Sequence, residues 1–314
     1  MNGCATIERC HQVAFTLNTA HRADPSHTTV LRNRFVREVN KRWNVVKRDV
    51  RISIVDNDCF AIQPDVLRAF EPLPRKAFEF VRTPRKVSMF MDWLQKQEDA
   101  GILKIIRRPG VAVESAWSDV YVESAYAKGV RRGYTEMYKA GYISQIPIES
   151  IRSALSHPIH ADRIGIVFSR TYEDLKSVTA VMNAQSRRLI TEGLTSGLAR
   201  GIAEGKNPRL IARELYKDVA NRVDKIGKVR CRMIARTEVL NAHNEALHAQ
   251  YERTQEQLGE PIFVEVSLGA NPCVICIDLE AGGPYPLEQA RGQLPAHPNC
   301  VCVHIPVRRG RRRR

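Results

Sequence analysis

The segments "NPCVIC" (residues 271–276) and "AHPNCVCVHIP" (residues 296–306) hold four of the eight cysteines and two of the nine histidines of this 314-residue chain. Two residues separate Cys273 from Cys276, a spacing at which two thiolates can face one metal ion. His297 and Cys300 repeat that spacing, and Cys302 lies two positions further on as an alternative ligand. The pattern predicts a site with four protein ligands.

Three explanations of the cysteine pattern stay open from the sequence alone. Zinc with four protein ligands would be structural, because a catalytic ion needs a vacant position for water. Disulfides would be expected in an oxidising compartment, whereas a reducing cytosol favours metal. The cysteines could also pack unpaired. Cys4, Cys10, Cys59 and Cys231 show no comparable spacing.

The chain is strongly basic, with a formal net charge of +15. A tail at the end of the chain carries six of the positive charges, at Arg308, Arg309, Arg311, Arg312, Arg313 and Arg314. Such a run repels itself and binds polyanions in a salt-sensitive way, so we expect non-specific contact with double-stranded DNA. A solubilising role is the alternative. Neither a long apolar run nor a secretory signal is visible, so we expect a cytosolic protein without membrane contact.

Apolar periodicity predicts a mainly α-helical chain with a small α+β module, rich in cysteine and histidine, at its C-terminal end. Helices are expected at about 28–54, 84–103, 116–142, from 173 onward and 221–258. Strands are expected at 261–267 and 300–307, joined by a loop with one helical turn at 287–291. The helix at 28–54 has a basic outer face, which we interpret first as the surface of a packed helix and second as a DNA contact.

Two regular spacings predict packing. Tyr134, Tyr138 and Tyr142 lie four residues apart and are expected to form a core stripe. Gly193, Gly197, Gly201 and Gly205 are also four apart. Glycine inside a helix costs roughly 1 kcal/mol relative to alanine, so we favour close helix packing over a hinge as its compensation.

The helix at 221–258 carries an apolar alanine and valine row beside a polar row of Glu238, Asn241, Glu245 and His248. Arg236 shares a row with leucines, which predicts partial burial and a paired guanidinium. "HNEALH" (residues 243–248) is not a zinc-protease motif, because its histidines are five residues apart and point away from each other.

The segments "IARTEVLNAHNEAL" (234–247), "NPCVIC", "GGPYPL" (282–287) and "LPAHPNCVC" (294–302) occur in an order that resembles the phage Mu F-like head morphogenesis, or minor head protein, family. The resemblance extends upstream to "LITEGLTSGLARGIAEGKNPRLIARELYKDV" (189–219) and covers roughly residues 165–307. The family's recurrent positions correspond to Arg236, Thr237, Glu238, Asn241, Cys273, Cys276, His297, Cys300 and Cys302.

The resemblance implies a bacteriophage virion protein without enzymatic activity. Such a protein would act at the portal vertex in head assembly and in DNA packaging or delivery, after assembly in the host cytoplasm. Its expected partners are the portal protein, capsid or scaffold proteins and DNA, and zinc is the expected structural cofactor. The alternative is a zinc-dependent nuclease or transferase that uses Glu238, Glu245 or His248 as acid or base. A transcription regulator is disfavoured, because no recognition-helix unit is visible.

These observations predict four regions along the chain. They are a flexible arm at 1–27, a helical domain at 28–160, the Mu F-like minor head domain at 161–307 and the arginine-rich tail at 308–314.

Overall fold

The computed structural model describes residues 24–60, 62, 86–106, 115–147, 151–194 and 208–308. Most of these residues are helical, and the strands are few, short and antiparallel, so the predicted fold class is confirmed. The helices are α1 (Thr29–Arg51), α2 (Lys86–Gly101), α3 (Asp119–Ala140), α4 (Ile151–Leu155), α5 (Pro158–Glu192), α6 (Pro208–Arg222), α7 (Val229–Leu258), α8 (Val274–Ala281) and α9 (Leu287–Ala290). The strands are β1 (Ile105–Ile106), β2 (Ser115–Ala116), β3 (Phe263–Ser267), β4 (Tyr285–Pro286) and β5 (Val303–Val307).

The chain divides into two compact units that alternate along the sequence. The first unit comprises Met1–Val36, Ser118–Thr171 and Met233–Arg314, and the second comprises Arg37–Trp117 and Tyr172–Arg232. The predicted domains at 28–160 and 161–307 do not coincide with these units, because each predicted domain contributes residues to both. Residues 1–23 of the predicted arm lie outside the described residues.

Several predicted boundaries differ from the observed ones. Helix α5 begins at Pro158, fifteen residues before the predicted start, because proline is tolerated in the first turn of a helix. A π-helical segment at Val223–Lys228 interrupts the helix predicted over 221–258. The loop predicted over 277–299 is wrong in its first part, where helix α8 continues to Ala281. The predicted strand at 300–307 begins only at Val303.

The first unit contains a three-stranded antiparallel sheet with the order β4-β3-β5. Phe263 pairs with Val307 and Ser267 pairs with Val303, which fixes the register of the two longer strands. One core cluster joins this sheet to helices α3, α7 and α9 and consists of Met137, Tyr142, Leu247, Tyr251, Ile262, Val264, Leu287, Ala290, Val303 and Ile305. The sheet therefore holds the cysteine-bearing segments against the long helix α7.

Small residues let helices α3 and α7 approach closely in the first unit. A Cβ atom on Gly129 would come within 2.4 Å of the His243 carbonyl oxygen, and one on Gly133 within 2.7 Å of the Gln250 side chain. Of the predicted glycine row, Gly193 lies against Leu215, as close packing requires. Gly197, Gly201 and Gly205 lie outside the described residues.

The predicted tyrosine stripe is only partly buried. Tyr134 and Tyr142 are buried, whereas Tyr138 is 49% exposed. The rows on helix α7 are buried more fully than the sequence suggested, because the polar residues Glu238, Asn241 and His248 are buried along with the apolar ones.

The second unit has an apolar core. Helix α1 contributes Val39, Trp43, Val46 and Val50 at helical spacing, as its periodicity predicts. The other large buried side chains of this unit include Ile54, Phe90, Leu94, Ile102, Leu175, Met182 and Ile190. Among the described residues, no helix combines the length and the apolar character that a membrane crossing requires.

Candidate metal centre

The first half of the candidate site is the start of helix α8. Cys273 is the N-cap residue in an extended conformation, and the Ile277 N–H donates to its carbonyl at 3.0 Å. Pro272 precedes the cap, where its missing N–H leaves no helical hydrogen bond unmade. One turn into the helix, Cys276 is fully buried while Cys273 is half-buried. The helical turn thus brings the two thiols towards one point.

The second half is the tight turn His297–Cys300. The Cys300 N–H donates to the His297 carbonyl at 3.0 Å, and Asn299 has a φ of +64°. Proline in the second position and a residue with positive φ in the third are the requirements of a type II turn, and asparagine tolerates that conformation. The "HPNC" sequence therefore folds locally into a turn that presents His297 and Cys300 together.

The two halves meet at distances that suit a tetrahedral metal ion. The Cys276 Sγ atom lies 3.7 Å from Cys300 Sγ and 3.6 Å from His297 Nε2. Zinc–thiolate bonds of about 2.3 Å and zinc–imidazole bonds of about 2.0–2.1 Å at tetrahedral angles place two sulfurs about 3.8 Å apart and sulfur and nitrogen about 3.5–3.6 Å apart. The observed separations match both values.

Neighbouring groups orient the candidate ligands. The His297 Nδ1 atom donates to the Pro298 carbonyl oxygen at 2.9 Å, which orients the ring with Nε2 towards Cys276. The Gly269 N–H donates to Cys302 Sγ at 3.4 Å, and the Asn244 amide donates to the Cys302 carbonyl at 3.4 Å. The hydrogen bond from Gly269 favours a thiolate at Cys302, the form that binds metal.

The three buried thiols share their protons unequally. Hydrogen bonding with Cys300 and Cys302, together with burial, raises the pKa of Cys276. Hydrogen bonding with Cys276 and Cys300 holds the pKa of Cys302 below its ordinary value. A divalent cation would replace the remaining thiol protons, since metal binding requires thiolates.

The five predicted ligands form two overlapping groups. Cys273, Cys276 and His297 form one, and Cys276, Cys300 and Cys302 form the other, with all ligand atoms of each group within 4.8 Å of one another. The cysteine and histidine cluster can therefore hold a metal ion, and Cys276 belongs to both groups. Leu294, Val266 and Leu279 pack around the cluster and shield it.

The predicted motif residues on helix α7 differ in burial: Glu238 and Asn241 are buried, whereas Arg236 and Thr237 are half-buried. Glu238 accepts hydrogen bonds from Arg170 Nε at 3.1 Å and Nη2 at 2.8 Å, and Thr171 Oγ1 lies 3.5 Å away. The Glu238 carboxylate is thus a partner in an ion pair that joins helices α5 and α7.

One buried pair was missed from the sequence. His248 Nε2 lies 2.9 Å from His304 Nδ1, and the other ring nitrogen of His304 lies 3.2 Å from the Gln293 amide oxygen. Burial lowers the pKa of His248 to about 3 and that of His304 to about 4, so both rings are neutral. In the sequence, this pair could have been suggested by the position of His304, which lies in the predicted strand two residues after Cys302.

The first residue of the predicted DNA-binding tail contacts the first unit. Arg308 donates to the Gly141 carbonyl at 2.9 Å and to Glu260 at 3.3 Å, and its guanidinium lies 5.5 Å from the centre of the Tyr142 ring. Arg309, Arg311, Arg312, Arg313 and Arg314 lie outside the described residues.

Comparisons with known proteins found no relative for this chain: no family model, no curated protein and no solved structure matches it.

Proposed function

We propose that this chain is a structural minor head protein of a tailed bacteriophage, acting at the portal vertex in head assembly and in DNA packaging or delivery. The observation that supports this function best is the packing of the four resembling segments within the first unit. Leu247 of "IARTEVLNAHNEAL" shares a core with Leu287 of "GGPYPL", and Cys276 of "NPCVIC" meets Cys300 of "LPAHPNCVC". Segments that recur in one order are expected to serve one module.

The metal in this proposal is a structural zinc ion. Cys276, Cys300, Cys302 and His297 supply three thiolates and one imidazole, a ligand set typical of closed zinc sites. Cys273 is a fifth, half-buried thiol beside them. A closed ligand set leaves no position at which zinc could activate water, which favours scaffolding over catalysis.

The alternative, a zinc-dependent nuclease or transferase, gains little from the acid and base candidates. Glu238 is held by Arg170, and His248 shares a hydrogen bond with His304. Glu245 lies 3.8 Å from the buried Arg163 guanidinium. Groups engaged in this way are expected to stabilise helix packing. Incubation of the purified chain with plasmid DNA and Zn²⁺ or Mg²⁺ tests the alternative, and cleavage lost in a Glu238→Ala variant would establish it.

The proposal includes non-specific contact with double-stranded DNA through the tail, Arg308 to Arg314. The argument is one of charge: a run of guanidinium groups neutralises phosphates, and its affinity falls steeply as salt rises. Deletion of residues 309–314 is expected to weaken duplex binding at low salt and to leave the fold intact. Equal binding by the full and shortened chains would remove the tail from the proposal.

The decisive experiment for the head function is co-expression with the portal protein encoded in the same genome. We expect the two proteins to elute together from a size-exclusion column in 500 mM salt, at which contacts made only through the basic tail are screened. Mass spectrometry of purified particles should detect the chain in few copies. Separate elution, together with particles that lack the chain, would contradict the proposal.

A further inference from the structure

The exposed face of helix α1 in the second unit is a row of cations. Arg37, Lys41, Arg48 and Arg51 are exposed and follow one another at helical spacing. The opposite face of the helix, which includes Val39 and Trp43, is buried. A shallow depression of about 460 Å³ lies along this row and is lined by Arg37, Asn40, Lys41, Asn44, Val45 and Arg48, with no acidic residue among them.

The cations of this helix fall into two groups. Arg42 donates to the Gly101 carbonyl at 2.6 Å and stacks 4.0 Å above Trp117, and Lys47 pairs with Asp224 at 2.5 Å. Arg37 and Lys41, in contrast, have no hydrogen-bond or ion-pair partner in the part of the chain that the structure describes. The paired cations stabilise the unit, whereas the unpaired ones contribute only unneutralised charge to its surface.

The amides between the cations add hydrogen-bond donors. Arg232 Nε donates to the Asn40 side-chain oxygen at 2.6 Å, and Asn40 is among the residues that line the depression. Asn44 is exposed one turn further along. Arg48 pairs with Asp49 through Nε alone, at 3.0 Å, and its side chain is 64% exposed. Donors and cations therefore line the depression, which suits an anionic oxygen ligand.

We propose that this surface, defined as the α1 stripe (Arg37, Lys41 and Arg48 with Asn40 and Asn44), binds the phosphate backbone of double-stranded DNA. The inference deepens the proposed function, because it assigns the DNA contact to the folded body rather than to the tail alone. From Arg37 to Arg48 the helix rises about 16 Å at about 1.5 Å per residue, a length along which each strand of a duplex presents about five phosphates.

Other polyanions fit the stripe less well. Single-stranded nucleic acid is bound largely by stacking on aromatic rings, and the residues that line the depression include none. An anionic membrane requires an apolar helix face that can enter the headgroup region. That face of helix α1 is buried in the core, and Val45 is the apolar residue of the depression, 42% exposed.

The test measures binding of the full chain to a fluorescent 30-base-pair duplex of mixed sequence between 50 and 200 mM salt. The stripe variant carries Arg37→Gln, Lys41→Gln and Arg48→Gln. The matched control carries Arg213→Gln, Lys217→Gln and Lys225→Gln, which removes three exposed charges elsewhere in the same unit. The loss of three phosphate contacts should make the plot of log affinity against log salt less steep by about 2.7. Between 50 and 200 mM salt, the affinity of the unaltered chain should therefore fall about 40 times further than the affinity of the stripe variant.

Four results complete the test. A charge-conserving variant, Arg37→Lys with Arg48→Lys, should retain the slope of the unaltered chain, because lysine neutralises a phosphate as a point charge. Equal slopes for the stripe and control variants would overturn the proposal. So would the loss of all binding on deletion of residues 309–314, although the tail contact and the portal function would then still stand. Stripe-dependent binding to vesicles of anionic lipid, without duplex binding, would assign the surface to membranes instead.

Discussion

The two units of this chain are stabilised by different chemistry. The interior of the first unit contains charged and polar side chains, among them His160, Arg163, Glu238, His243, Asn244, His248, Gln250 and His304. The buried side chains of the second unit are mostly apolar, with Trp43, Phe90 and Leu94 fully buried, and its buried carboxyl groups among the described residues are Asp58 and Glu98. The stability of a polar interior depends on particular hydrogen-bond and ion-pair partners. The stability of an apolar interior depends on the apolar area removed from water.

The largest expected effect is the loss of the metal from the first unit. Cys276→Ser removes the ligand that both candidate groups share, so we expect no stoichiometric zinc and loss of amide protection over residues 262–308. Structural zinc contributes about 10–16 kcal/mol of apparent binding energy in small zinc domains, which exceeds any single packing change. Elemental analysis and hydrogen exchange measure the two outcomes.

The matched control for this variant is Cys273→Ser. Cys276, Cys300, Cys302 and His297 would remain as four ligands, so zinc and amide protection should both persist. Full zinc content in Cys276→Ser would contradict the ligand assignment. Thiol counting in the presence of a chelator and a denaturant separates metal from disulfides. Under these conditions every cysteine of a metal site would react as a free thiol, whereas cysteines in disulfides would not.

The next largest effect belongs to the apolar unit. Trp43 is fully buried, and a Cβ atom on Gly227 would come within 2.9 Å of its ring. Trp43→Ala should destabilise the second unit by about 3–5 kcal/mol, as expected for a large aromatic side chain replaced in a core. Zinc content should not change. Urea unfolding followed by hydrogen exchange gives the measurement, and Val45→Ala, on the exposed face of the same helix, should cost far less.

Helix α1 and the metal centre show what the sequence could predict. The buried positions of helix α1 repeat every three to four residues, so local periodicity was sufficient. The cysteine and histidine spacing predicted which side chains converge, because each pair is brought together by a local turn of only four residues. Both signals lie within short segments and need no knowledge of distant contacts.

The features that the sequence did not predict depend on distant partners. Glu238 and His248 were expected on a polar row, yet both are buried, with Arg170 of helix α5 bonded to Glu238 and His304 of strand β5 bonded to His248. The need for a glycine at position 227, in the π-helical segment, follows from the Trp43 ring packed against it, a contact that is distant in sequence. The second half of helix α8, from Ile277, was predicted as a loop because exposed apolar residues of this helix, such as Val274 and Ile277, show no amphipathic period.

A smaller effect concerns the pH dependence of the second unit. Burial raises the pKa of Glu98 from its ordinary value of 4.5 to about 8. A hydrogen bond from Asn183, at 2.6 Å, lowers the pKa but does not offset the effect of burial. Between about pH 4.5 and pH 8, Glu98 therefore keeps its proton in the folded chain and releases it in the unfolded chain. This contribution to stability is complete below about pH 4.5 and is lost as the pH rises towards 8, with a slope of at most about 1.4 kcal/mol per pH unit.

Glu98→Gln should remove this dependence, because the amide has the shape of the protonated acid and still accepts from Asn183. Urea unfolding at pH 5, 6.5 and 8 is the measurement. Asp92→Asn, at an exposed position of the same helix, should leave the dependence in place. The same loss of stability with rising pH in Glu98→Gln and the unaltered chain would rule out Glu98 as its source.

The smallest expected effect is at the start of helix α1, in the first unit, and it has the opposite pH dependence. Burial alone would raise the pKa of Asp24, but Arg32 and the hydrogen bonds from Ser26 and Thr29 lower it to about 2. Its contribution to stability is present above the ordinary value near 3.8 and is lost as the pH falls towards 2.

Asp24 accepts the backbone N–H of Thr29 at 3.1 Å and that of Ser26 at 3.0 Å, so it acts as a cap for the first turn. Asp24→Ala should cost about 1 kcal/mol, and hydrogen exchange should show it as faster exchange of the first-turn amides. Asp24→Asn keeps an acceptor without the charge and should abolish the loss of protection between pH 5 and pH 2.5. If the asparagine variant still loses amide protection between pH 5 and pH 2.5, protonation of Asp24 is not the cause of the loss. The ion pair between Asp24 and Arg32 would then contribute nothing to the stability of the first turn.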